Sequence, residues 1–174
     1  MSVLAFFIGE DYKENTFKVL EFIKNKPEKI KELMDLFFFE NNIIVQRCSY
    51  SISILAKRNP SAFYPYLEQL LEHLENPKTL GQRRNVLRIL KEMQVPTEWD
   101  GRLVDNCFKF VYNRKEEIAV VCFSLEILGM FCKTFPELAI ELNLAIDSLI
   151  PYRSAGIKSR ASREKKQLVK FIPN

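Results

Sequence analysis

Apolar residues return at helical spacing almost from end to end, and the helices they define come in pairs. Leu67, Leu70, Leu71 and Leu74 form one i, i+3, i+4, i+7 stripe. Val86, Leu87, Leu90 and Met93 form another, and Ile118, Val121, Leu125, Leu128 and Cys132 continue the habit. Strand-like alternation is nearly absent; the first eight residues alone could be extended. A chain patterned this way must pack helix on helix, because an amphipathic helix needs a partner for its apolar stripe.

Turn residues cut the pattern into segments. Pro27 suits the first turn of a helix, where its missing N–H costs nothing. Asn41-Asn42, Asn59-Pro60, Asn76-Pro77 and Asn113-Arg114 read as turns, while Thr97 with Glu98, and Phe135-Pro136-Glu137, read as helix starts. The pattern predicts helices near 14–24, 28–39, 43–58, 62–75, 80–93, 98–112, 116–133, 136–149 and 158–171. The second helix of each pair resembles the others. Ile43-Ile-Val-Gln-Arg47 runs to Ile54-Leu55 and Pro60, and Leu80-Gly-Gln-Arg-Arg84 runs to Ile89-Leu90 and Pro96. Ile118-Ala-Val-Val121 runs to Ile127-Leu128 and Pro136, and Ile157-Lys-Ser-Arg160 runs to Leu168-Val169 and Pro173. Superposing Leu55, Leu90, Leu128 and Leu168 gives steps of 35, 38 and 40 residues. Two-helix units repeating near forty residues signify an α-solenoid, in which each pair buries its apolar face against the next.

Length and composition agree. The 174 residues suit one domain, and 47% apolar with 28% charged residues is ordinary for a folded protein. Charge is unevenly spread. From residue 152 onward stand seven basic residues against Glu164 alone, a segment of +6, while the first 151 residues hold 19 basic and 21 acidic groups. A basic end on a neutral body hints at an acidic partner. Cys48, Cys107, Cys122 and Cys132 form no CxxC and fall inside apolar helical patterns, as buried free thiols do. The longest apolar stretch, 118–132, is too short for a membrane span and contains Glu126. Residues 2–8 lack the basic flank of a secretory leader. The expectation is a cytoplasmic protein that does not engage a membrane.

The units resemble HEAT repeats, with armadillo repeats the close alternative. The resemblance rests on an Asn-Pro type turn, Asn76-Pro77, followed by basic residues early in the second helix: Arg47, Arg83/Arg84 and Arg160. The third unit departs, carrying Ala119 and Val120 there. The segment Gly156-Ile-Lys-Ser-Arg-Ala161 also resembles that of small bacterial HEAT-like proteins, which implies fold and no particular reaction. The expected architecture is all-α: a right-handed HEAT/armadillo-like superhelix forming one domain over 1–174. It comprises an N-terminal cap, 1–27, and helix pairs at 28–60, 61–96, 97–135 and 136–173. The apolar start at 2–8 either covers the end of the stack or meets a second copy of the chain, as a homodimer contact would.

Residues that could carry chemistry are few. His73 is the sole histidine and is expected on the solvated face opposite the Leu67/Leu70/Leu71/Leu74 stripe, where a general base has neither shelter nor an orienting partner. No second His or paired Cys supports a zinc site. No glycine-rich phosphate loop and no GxSxG occurs. Neither a cofactor nor a metal is expected, and no catalytic residue is assigned. Trp99-Asp100 is the one pair to weigh. HEAT-like DNA glycosylases use a Trp and an Asp on a basic concave face, and the likeness would imply a repair enzyme. Against it, the two residues start a first-of-pair helix, where Asp100 and Glu98 suit the positive helix end and Trp99 suits packing on Val95-Pro96.

The basic residues are the better lead. Second-of-pair helices line the concave, binding face of HEAT stacks. Superposition places Ser49, Arg84, Cys122 and Ser162 in one solvent-facing row. Ser53, Arg88, Glu126 and Lys166 fall in the next, and Lys57, Glu92, Met130 and Lys170 in a third. The candidate contact residues are Arg84, Arg88, Glu126, Arg163 and Lys166. Such rows serve an acidic protein segment, neutralise nucleic-acid phosphates, or merely form ladder salt bridges between repeats. The favoured expectation is a non-catalytic module that binds a protein partner; the alternative is nucleic-acid binding or base-repair chemistry.

Overall fold

A computed structural model describes residues 2–9, 14–24, 26–79 and 81–172. Among these residues every regular element is helical. The α-helices are α1 Asn15–Ile23, α2 Pro27–Phe39, α3 Asn42–Arg58, α4 Leu67–Glu75, α5 Gln82–Glu92, α6 Asp100–Tyr112, α7 Ile118–Phe131, α8 Leu138–Leu149 and α9 Ala155–Leu168. Short 3₁₀ helices occupy Val3–Phe6, Pro60–Tyr66, Thr97–Trp99 and Ile150–Tyr152. Each expected helix is present. Leu80 and Pro173, which mark the repeat pattern in the sequence, lie outside the described residues.

The clearest departure is at 62–75, expected as one α-helix. The stretch Pro60–Tyr66 is 3₁₀, and the α-helix begins only at Leu67. Pro65 is the physical reason: it has no N–H to donate four residues back, and its ring crowds the preceding turn. Elsewhere local chemistry sets the boundaries. Asn41 caps α3, its Oδ1 accepting from the Ile43 and Ile44 N–H groups at 3.1 and 3.2 Å. Pro27 takes the first position of α2.

Contacts divide the chain into two compact units, Met1–Val95 and Pro96–Asn174. In the first, α2 packs on α3, α4 packs on α5, and the second helices α3 and α5 pack on each other. Its core includes Leu33, Phe37, Ile52, Leu70, Leu74 and Leu87, all buried. In the second unit α6 pairs with α7 and α8 with α9, while α7 stacks on α9 and α6 on α8. Leu103, Val121, Leu125, Leu142, Ile146 and Ile157 fill that core. Each unit therefore holds two helix pairs stacked first helix to first helix, second to second, or both.

Much of the apolar start is covered within the chain, although Ile8 is exposed. Val3, Phe6 and Phe7 are buried, and the Phe6 and Phe22 rings lie 5.3 Å apart. The Glu32 carboxylate accepts from Ser2 Oγ at 2.8 Å and from the Val3 N–H at 2.6 Å. Arg47 secures the far side, its Nη1 donating to the Phe7 and Gly9 carbonyls at 2.7 and 2.8 Å. The basic residue that marks the first repeat thus anchors this segment.

In the second unit the two interhelix turns are clasped together. Arg153 donates to the Asn113 carbonyl and, at 2.7 Å, to that of Arg114, whose own guanidinium lies 4.2 Å from the Tyr152 ring centre. All four cysteines are free: Cys48, Cys107 and Cys132 are buried, and Cys122 is partly exposed. Burial pushes the Cys107 thiol up to about 12. Among the described residues no helix is long and apolar enough to cross a membrane.

Candidate functional site

Arg84 and Arg88 lie one turn apart on α5, in the first unit. The geometry starts at Gly81, the residue before α5, whose backbone is left-handed with φ +78°. A Cβ there would stand 3.0 Å from Arg84 Nη2, so the bare glycine lets this guanidinium lie back along the helix start. Arg88 is partly buried, and its Nη1 donates to Ser49 Oγ on α3 at 3.3 Å. Burial and the neighbouring Arg84 charge both push the Arg88 guanidinium below its usual value, by stripping water and by repulsion. Arg83, beside them in sequence, does structural work: its Nε donates to the Leu74 carbonyl at the end of α4, at 3.0 Å.

Of the serines of the expected rows, Ser162 is exposed as the superposition requires, but Ser49 and Ser53 do not face solvent. Ser49 and Ser53 are buried, and each hydroxyl turns back to its own helix, onto the Gln46 and Tyr50 carbonyls at 2.8 and 2.7 Å. The third row forms a ladder ion pair: Lys57 meets Glu92 at 3.3 Å, and Lys91 joins at 3.2 Å. Burial alone would raise the Glu92 carboxyl, but the hydrogen bonds from Lys91 and Lys57 outweigh it and hold the group below the usual range.

In the second unit Glu126, Arg163 and Lys166 have unequal surroundings. Glu126 on α7 is engaged by Arg160 Nη2 of α9 at 3.4 Å. Arg160 Nη1 also lies 3.4 Å from Glu164 Oε1, one turn along α9. Arg160 is therefore the partner that the row of Glu126 fails to reveal, although its spacing to Glu164 is an ion-pair signal in the sequence. Glu164 is buried, and burial raises its carboxyl despite the opposing Arg160. Arg163 and Lys166 are exposed on α9, three residues apart on one helix face. Lys165 pairs with Asp147 of α8.

His73 corrects the sequence reading. It is buried, not solvated. Its Nδ1 lies 2.8 Å from the Gln69 carbonyl, to which it donates, and its ring centre is 4.9 Å from that of Phe38 on α2. Trp99 ends a 3₁₀ helix and Asp100 opens α6, both partly buried. Desolvation raises the Asp100 carboxyl. Among the described residues no group of three or more His, Cys, Asp or Glu is placed to hold a metal ion.

Paired helices stacked on one another, with basic residues early in α3, α5 and α9, describe a known type of repeat. The model of the HEAT repeat domain matches residues 9–168 of this chain. No curated protein and no solved structure matches it. The match spans the nine α-helices of the described residues and both units: the chain belongs to the HEAT repeat family.

Proposed function

We propose that the protein is a non-catalytic interaction module that receives an acidic segment of a protein partner on its second-of-pair helices. HEAT repeats generally serve as protein-binding scaffolds, which supports this reading. The observation that carries it is the Arg84–Arg88 pair. The i, i+4 spacing on α5 sets two guanidinium forks side by side, and planar forks of this kind suit bidentate pairing with a carboxylate. Arg163 and Lys166 offer a second exposed basic pair on α9, and Glu126 enters this reading through its ion pair with Arg160.

The test is capture from native extract by wild-type protein and by Arg84→Glu/Arg88→Glu, each with and without nuclease. Partner recovery that survives nuclease and falls at least about tenfold in the variant is the expected result. Recovery unaffected by the substitutions removes the proposed site. Loss of all recovery on nuclease treatment replaces the protein partner with a nucleic acid.

A further inference from the structure

A cavity opens in the first unit where the C-terminal ends of α1 and α3 meet α2 and the 3₁₀ helix Pro60–Tyr66. Its apolar lining is Leu20, Ile23, Ile30, Leu55 and Phe63; Leu55 is partly exposed and the other four are buried beneath it. The cavity measures about 200 Å³, and an apolar cavity of about 150 Å³ already accepts a benzene ring. Lys24 and Arg58 stand at its mouth. A second recess of about 350 Å³ adjoins it through the shared Ile30 and Asn59, and adds Lys26 and Tyr66. Among the described residues the two linings together hold three cations and no carboxylate.

The local field favours an anion even after opposing terms are counted. The ends of α1 and α3 each contribute roughly half a negative charge, and the start of α2 roughly half a positive one. Glu21 reaches Lys24 at 3.7 Å, but both side chains are about two-thirds exposed, at 68% and 65%, so this pair is weak and readily exchanged. Lys26 Nζ rests 4.8 Å from the Phe22 ring centre, an aromatic contact that leaves its charge in place. The sum at the mouth stays above roughly one positive charge. An apolar lining beneath a cationic rim is complementary to an amphipathic anion.

We propose that this cavity binds a small free carboxylate whose aryl or short alkyl group fills the floor while its carboxylate meets Lys24 and Arg58. The site shares no residue with the Arg84–Arg88 ridge, so either proposal can fail without the other.

The test is a ¹H–¹⁵N NMR titration with 3-phenylpropionate, run beside the neutral 3-phenylpropanol and the cationic 3-phenylpropylamine. Shifts with the acid should saturate and map to the ends of α1 and α3 and to residues 60–66. The alcohol and amine should bind at least about tenfold more weakly. Lys24→Glu/Arg58→Glu should lose about the same factor, while Lys24→Arg/Arg58→Lys retains affinity. Both variants change exposed side chains, so the folded spectrum is retained. Shifts that fail to saturate, that scatter over the surface, or that are equal for acid, alcohol and amine overturn the proposal.

Discussion

The Glu164 carboxylate lies against the bare backbone of Gly129: a Cβ on that glycine would stand 2.3 Å from Glu164 Oε2. The missing side chain on α7 is the space that holds a buried acid of α9, with Arg160 on its other side. Gly129→Ala sets two effects against each other. Alanine favours the helix by about 1 kcal/mol. Displacing a buried carboxylate from Arg160 costs more, by overpacking of about 1–3 kcal/mol and by disturbing a buried ion pair. The variant should therefore unfold at lower temperature, and Gly129→Ala/Glu164→Ala should be less destabilised than the sum of its parts. A calorimetric double-mutant cycle reads both; an unchanged or raised melting temperature in Gly129→Ala contradicts the packing described.

Glu164 also imposes a pH dependence. Burial raises its folded pKa above the unfolded value of about 4.3. The folded state then holds this proton more tightly than the unfolded state, so the group's penalty is fully present above the folded pKa. It is relieved as pH falls toward about 4.3. Glu164→Gln removes the titration. Relative to that variant, the wild type should gain stability as the pH is lowered from 7 toward about 4.3, measured by urea midpoints at both ends of that range. A gap that stays constant, or that moves the other way, would show that the carboxylate is not desolvated.

Leu90 tests the register of the first unit. It is 2% exposed on α5, the helix that packs on both α3 and α4. Leu90→Ala leaves a void in that contact and should cost about 2–5 kcal/mol. Chemical denaturation with an unchanged m-value is the measurement. A loss below about 1 kcal/mol is typical of surface substitutions and would place Leu90 outside the core.

Helix number and the repeat of pairs were legible because the 3.6-residue period is local information. Leu70, Leu74, Val86 and Leu87 are buried as their spacing requires. What spacing cannot carry is the rotation of one helix against its neighbour. His73 stands roughly 110° from the centre of its leucine stripe, at ~100° per residue, so it is a flank position rather than the opposite face. Phe38, from another helix, converts that flank to interior. Ser49 and Ser53 went the same way, because α5 packs across α3 and closes over their hydroxyls. The Arg160 contact of Glu126 was hidden for a related reason: Arg160 lies in a different row of the superposed repeats and reaches across from α9. That Arg84 and Arg88 are neighbours on one helix was legible because i, i+4 spacing alone places them together.

Arg47 should control local opening at the N-terminus rather than the stability of the whole unit. Its guanidinium supplies hydrogen bonds to two main-chain carbonyls, Phe7 and Gly9, beyond the buried Phe7 side chain. Hydrogen bonds from a charged donor contribute about 1.5–3 kcal/mol each when the acceptors would otherwise lose a partner. These carbonyls lie near the surface, so water recovers part of that loss, and Arg47→Ala should lower the local opening free energy by about 2 kcal/mol. The Phe7 N–H, bonded to the Leu4 carbonyl at 2.9 Å, is the probe. Its hydrogen exchange should accelerate by more than about tenfold in Arg47→Ala. Amides in the middle of α5, such as Leu87, should change far less, because α3 and α4 keep that helix covered without the N-terminal segment. Equal acceleration at Phe7 and Leu87 would mean that Arg47 supports the unit as a whole, and that the segment 2–9 opens only with it.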